Sequence, residues 1–315
     1  MPASSKMNMS LAHVKNGQIF SRNKNSQMER EYRIRLEDGR VLSVLELGDP
    51  KGKPVFYCHG FPGSRLEARL AAKAAGDLGL RVLAADRPGV GGSTFQPGRT
   101  IGAWASDIVK LADSFGLQRF NVVGVSGGGP YALACAAFIP ERLNGIALVS
   151  AVGPVSRGDS LHGMIMADRL LLGLAVYCPA IARLVVGALT RWIRRHPEFY
   201  LGGMLAGVPA ADHEVLADPA YRTLLLESTM QALHQAGRGP AWELTLIARP
   251  WDFRLEEIRV PVHIWQGLAD NIIPPVMARH MAAVLPGSES HYLSGEGHFS
   301  LIYKYHHDIL DNLCA

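Results

Sequence analysis

Four short apolar runs, at 54–58, 81–85, 120–125 and 145–150, alternate with stretches of helical spacing. That rhythm leaves the chain few folds to choose from. The runs show no apolar–polar alternation, which is how a strand reads when both of its faces are buried. Between them, residues 65–78 and 100–115 read as helices. In the second of these, Ile101, Trp104, Ile108, Leu111 and Phe115 recur at helical spacing. Parallel neighbours need a crossover connection, so buried strands joined by helices imply a largely parallel sheet covered on both faces. Upstream, segments 32–36 and 41–47 flank Asp38-Gly39 and predict a β-hairpin. The rhythm stops after Val152, and residues 154–245 read as helical without a convincing strand. It resumes with a strand at 260–265, a helix at 275–284, a strand at 291–293 and a last helix from about 300. The expected architecture is an eight-stranded, mostly parallel α/β core in two parts, 31–153 and 246–315, with a helical cap inserted at 154–245.

Of the 315 residues, 48% are apolar and 19% charged, enough to bury a sizeable core without disulfide or metal staples. Residues 1–30 are rich in Ser, Asn and Lys and read as a flexible N-terminal extension. They contain no apolar h-region and so do not resemble a secretory signal. The longest apolar run, 170–182, is interrupted by Pro179 and is shorter than the roughly 20 residues of a membrane span. A net charge of +4 suggests a nucleic-acid partner only if it is clustered. The densest cluster, Arg191 to His196, reads as a solvated helix end. Cys58, Cys135, Cys178 and Cys314 form no disulfide framework or metal-ligand spacing. The expectations are a cytoplasmic chain with no metal or organic cofactor, no nucleic-acid partner and no stable membrane insertion; its oligomeric state is left open.

The chemistry concentrates in Gly124-Val125-Ser126-Gly127-Gly128, directly after one apolar run and directly before a helix. A serine in G-x-S-x-G between strand and helix projects its hydroxyl from a sharp turn at the sheet edge. The helix start beneath it offers N–H groups to a developing oxyanion. Gly127 to Ala132 also matches a dinucleotide-binding G-x-G-x-x-A, but no acidic residue follows at the distance that motif requires. A serine needs a base to take its proton, and the chain order for this fold is Ser, acid, His. His298, in Gly295-Glu-Gly-His298-Phe-Ser, is the candidate base. Asp270, in Trp265-Gln-Gly-Leu-Ala-Asp270-Asn, is the candidate acid, its alternative being a helix N-cap. Asp159 stands too far along its loop to be preferred. The two N–H donors expected of an oxyanion hole are those of Gly127, after the nucleophile, and Phe61, in His59-Gly-Phe-Pro-Gly-Ser64.

Taken in order, HGFPGS, DRPGVGGS, GVSGGGP, WQGLADNIIP and GEGHFS resemble the α/β-hydrolase superfamily over about residues 31–315. Within it the chain resembles bacterial capped esterase-like hydrolases related to proline iminopeptidases and cofactor-free haloperoxidases. The resemblance implies a Ser-His-Asp hydrolase, most simply a carboxylesterase acting on small to medium uncharged esters. It also implies that the chain differs from dehalogenases and epoxide hydrolases, which carry Asp where Ser126 stands. Three other readings remain at this stage. One is another amide, thioester or lactone hydrolase, such as a proline iminopeptidase, which would need Glu198, Glu214, Glu227 or Glu243 to hold the substrate's free amine. The others are a perhydrolase and, from a different class, a small-molecule receptor without turnover.

Overall fold

The computed structural model describes residues 10–14, 17–23, 29–155 and 160–315. Its strands, in chain order, are β1 (Ser10–Val14), β2 (Gly17–Asn23), β3 (Glu29–Arg35), β4 (Val41–Gly48), β5 (Lys53–Cys58), β6 (Leu80–Ala85), β7 (Phe120–Val125), β8 (Leu143–Val149), β9 (Val262–Gly267) and β10 (Glu289–Leu293). They form one sheet in the order β1-β2-β3-β4-β6-β5-β7-β8-β9-β10. From β6 to β10 every pairing is parallel, while β4, β3, β2 and β1 add antiparallel.

β3 to β10 are the eight strands expected. The difference lies at the N-terminus, where residues 1–30 read as a flexible extension. Within that stretch β1 and β2 pair as a hairpin onto the outer edge of β3. A sheet edge carries unpaired N–H and C=O groups, so a nearby polar segment can be recruited as strand without an apolar pattern of its own. Residues 1–9 lie outside the described residues, as does Asp159.

The helices of the core are α1 (Ala72–Asp77), α2 (Ala103–Ser114) and α3 (Gly129–Phe138). Next, between β8 and β9, come α4 (Met166–Tyr177), α5 (Pro179–Arg195), α6 (Pro197–Leu205), α7 (Ala210–Leu216), α8 (Pro219–Ala232) and α9 (Arg238–Ile247). Last are α10 (Pro275–Val284), α11 (His298–Lys304) and α12 (His306–Cys314). The strand period of two sends alternate residues to opposite faces. Phe56, Val122, Ile146 and Ile264 face α2, α3 and α10, while Val55, Tyr57, Val123 and Ala147 face α1, α11 and α12. With both faces apolar, the parallel strands read as continuous runs. The described residues of the β8–β9 connection form helices and turns without a strand, and α4, α5 and α9 share a separate apolar core with Val152 and Met277.

Candidate active site at the strand ends

Ser126 follows the last residue of β7 and precedes α3, with a backbone φ of 51°. That left-handed conformation is costly for a residue with a Cβ and is held only where the surroundings over-determine it. The glycines around it do a different job. A Cβ at Gly124 would lie 2.7 Å from the Ala132 Cβ, and one at Gly128 would lie 2.0 Å from the Cys58 carbonyl oxygen. They let β7, α3 and the loop after β5 approach closely, so Ser126 itself carries the strain.

Two peptide planes fix the neighbouring N–H groups. In a trans peptide the C=O and the following N–H point in opposite directions. The Ser126 carbonyl accepts from the Val152 N–H at 3.0 Å, so the Gly127 N–H is turned away from that bond. The Gly60 carbonyl accepts from Arg87 Nη2 at 3.0 Å and from His59 Nδ1 at 2.9 Å, which turns the Phe61 N–H the other way. A Cβ built on Gly127 would lie 3.2 Å from the Phe61 nitrogen, so the two donors are close neighbours.

The loop carrying Phe61 is gripped from both sides. The Gly60 N–H donates to both carboxylate oxygens of Glu67 at 3.0 Å. Arg87, fully buried, reaches the carbonyls of His59 and Gly60 and also pairs with Glu243 of α9, with N–O distances down to 2.5 Å. Arg99 binds the same carboxylate at 3.1 Å. Burial lowers the His59 imidazole to about 3, with the Arg87 charge acting in the same direction, so His59 is neutral and its Nδ1–H donates to Gly60. Burial also lifts the Glu67 carboxyl, to about 7, although the Gly60 N–H and Arg87 act against that rise.

His298 opens α11, and its Nδ1 lies 2.9 Å from Asp270 Oδ2. A ring N–H given to a carboxylate leaves Nε2 with its lone pair. Burial pulls the His298 pKa down, but the charge and hydrogen bond of Asp270, joined by Asp212 and Asp168, outweigh it and leave the pKa raised. Asp270 is itself held: its Oδ1 accepts from the N–H groups of Ile272 and Ile273 at 2.9 and 2.8 Å. The N-cap of α10 is Pro274, so Asp270 does not cap that helix. The cap of α11 comes from afar. Asp212, of α7, accepts from the N–H groups of His298 and Ser300 at 3.0 and 2.8 Å.

A cavity of about 500 Å³ lies over these strand ends, with Ser126, Gly127 and Phe61 in its wall. His298 and Asp270 are buried residues outside that wall. His298 feels the wall through Asp168 of α4, a lining residue whose charge acts on it. Most of the remaining lining is apolar, including Leu171, Val186 and Leu244 of the inserted helices. None of the four glutamates considered for an amine site lines the cavity. Glu198, Glu214 and Glu227 are solvent-facing, and Glu243 is consumed by two arginines. Burial raises the Asp168 carboxyl, partly offset by His298. The sequence did not point to Asp168, Asp212 or Glu67, and it offered Arg87 only as part of the DRPGVGGS turn. One local sign of a distant partner was available: Gly297 precedes α11 where a capping side chain would be expected.

The model of the alpha/beta hydrolase fold family matches residues 53–190, from β5 into α5. A bifunctional epoxide hydrolase 2 from Sus scrofa is 24% identical over 298 residues, covering 86% of this chain. The chain spans about half of that relative's length, 52%. An alpha/beta hydrolase fold protein from Nakamurella multipartita superposes with a TM-score of 0.63 at 25% identity, covering 90% of this chain and 96% of that one. A thermophilic esterase from Thermogutta terrifontis superposes with a TM-score of 0.66 at 22% identity, covering 90% and 96%. Strand order, serine turn and these likenesses agree on the architecture: the chain has the α/β-hydrolase fold.

Proposed function

We propose that the protein is a serine hydrolase, most simply a carboxylesterase for uncharged esters with a small to medium acyl group. The observation that carries this reading is the shared cavity wall of Ser126, Gly127 and Phe61, with the peptide planes of both donors fixed by named partners. In this reading Ser126 Oγ attacks the ester carbonyl while His298 Nε2 takes its proton. The carbonyl oxygen becomes an oxyanion held by the two N–H groups, which strengthen as charge develops. His298, as imidazolium, returns the proton to the leaving alcohol and then activates a water that cleaves the acyl-enzyme. Asp270 keeps the imidazole in the tautomer this cycle needs. The apolar wall favours a hydrocarbon acyl chain over a charged one. The epoxide hydrolase relative does not transfer its activity directly, because a serine stands where an alkyl-enzyme route uses a carboxylate. The same groups would serve a thioester, a lactone or a perhydrolysis reaction, with substrate shape deciding among them. Four free cysteines, three of them buried, support a reducing, cytoplasmic setting.

One observation favours a second reading. Asp168 is an acid in a mostly apolar wall, and a substrate bearing a protonated amine or a hydroxyl would satisfy it. This is the remaining route to an iminopeptidase-like amide hydrolase. Labelling with a fluorophosphonate, located by peptide mass spectrometry, tests the main reading alongside turnover of aryl esters of rising chain length. A single adduct on Ser126 with multiple turnovers is expected. Ligand binding without adduct or turnover would replace the enzyme by a small-molecule receptor.

A further inference from the structure

We propose that His263, Glu289 and His291 form a binding site for one divalent transition-metal ion, with zinc as the reference ion, on the edge of the sheet. The inference does not depend on the esterase reading. It begins with strand register. In the parallel pair β9–β10, Glu289 stands opposite His263 and His291 opposite Trp265. Side chains two apart share a face, so His263, Trp265, Glu289 and His291 form a square on one side of the sheet. The two imidazoles occupy one diagonal, and the carboxylate is next to both.

The distances suit a metal better than they suit hydrogen bonds. Glu289 Oε2 lies 3.4 Å from His263 Nδ1, and Glu289 Oε1 lies 3.4 Å from His291 Nε2. Both ring nitrogens are shut off from solvent and neither makes a hydrogen bond. One ligand atom from each residue can be chosen so that all three lie within 4.8 Å of one another. Ligands about 2.0–2.1 Å from a tetrahedral ion are separated by roughly 3.3–3.4 Å, and each nitrogen stands at that spacing from one of the two Glu289 oxygens, so a small turn of this exposed carboxylate completes the site. Orphaned buried nitrogens are uncommon, and a bound cation gives these two a partner.

The surroundings also orient the ligands. The His291 ring stacks on Trp265 with centroids 4.1 Å apart and planes 16° apart, which limits its rotation about the side chain. The His263 ring stands near it at 6.2 Å and 25°. Two imidazoles and a carboxylate are a borderline donor set that suits Zn²⁺, Ni²⁺ or Cu²⁺ rather than Mg²⁺ or Ca²⁺. Glu289 is 59% exposed at its side chain, so a fourth position can be filled by water. Among the described residues no other group of three His, Cys, Asp or Glu side chains comes together in this way. The site is away from the strand ends, since about 13 Å of strand separates His263 from Gly267. An ion there would staple β9 to β10, the strands that lead into the loops of Asp270 and His298.

The test uses the full chain, stripped with a chelator and titrated with Zn²⁺ against a chromophoric competitor. Alongside wild type run His263→Ala, His291→Ala, the double variant and Glu289→Gln, the last an exposed change that leaves packing intact. Melting without metal verifies that each variant is folded. One tightly held zinc per wild-type chain and a higher melting temperature with zinc are expected. Each histidine variant should weaken binding at least about tenfold, and substituted Co²⁺ should show tetrahedral visible absorption that is lost with either histidine. No stoichiometric uptake by wild type, or equal affinity in the double variant, overturns the proposal.

Discussion

At the scale of single residues, each candidate reactive group comes in the segment that follows a strand, and that placement is what let all three be proposed from sequence. Ser126, Asp270 and His298 follow β7, β9 and β10, and the local letters around them carry the signal. If Asp270 holds His298 as proposed, Asp270→Asn should leave the fold intact and lower kcat by about 10⁴-fold, measured on an aryl ester. The sign of the pH dependence can be worked out as well. A base works when deprotonated, so kcat/KM should rise with pH through an inflection above the ordinary histidine value, because nearby carboxylates raise the His298 pKa. Asp168 contributes to that rise from the cavity wall. Asp168→Asn should therefore move the inflection to lower pH in a pH–rate profile. An unmoved inflection would remove Asp168 from the charges acting on the base. Asp168 itself was not legible, since only folding shows that it lines the cavity that Ser126 also lines.

Between elements, the connections depend on partners far apart in sequence. Asp212 meets His298 across 86 positions, and Arg87 meets Glu243 across 156. No local pattern announces such pairs. The chain reads clearly where strand alternation or a turn motif encodes the answer, and poorly where a side chain from the inserted helices completes a core loop. Asp212→Ala removes the acceptor for two N–H groups at the start of α11 and should cost about 1–2 kcal/mol in denaturant unfolding. It should also lower turnover, because the capped helix begins with His298. Glu243→Ala is expected to be harsher. It leaves Arg87 and Arg99 buried beside each other without their carboxylate, a change on the order of 3–5 kcal/mol. Stability close to wild type in that variant would mean that water or a shifted side chain replaces the pair.

Across the whole molecule, the inserted helices are tied to the core at several separate points. Besides Asp212 and Glu243, Ser228 accepts from the Ser64 N–H, and Gln235 donates to the carbonyls of Gly91 and Ser93. The sequence suggested a helical cap inserted at 154–245. The folded chain has helices that help hold the loop of Phe61 and the helix of His298, so the two parts should unfold together. The β1–β2 hairpin was not legible because a pairing onto the open edge of β3 is made by backbone groups and leaves no local pattern in the letters. The left-handed backbone of Ser126 has a consequence for how such a protein ages under selection. Glycine tolerates that conformation freely, so Ser126→Gly should destroy activity and yet raise stability by about 1 kcal/mol, read as a higher melting temperature. Selection for stability alone would discard the proposed nucleophile, so its persistence in a lineage would be a record of use.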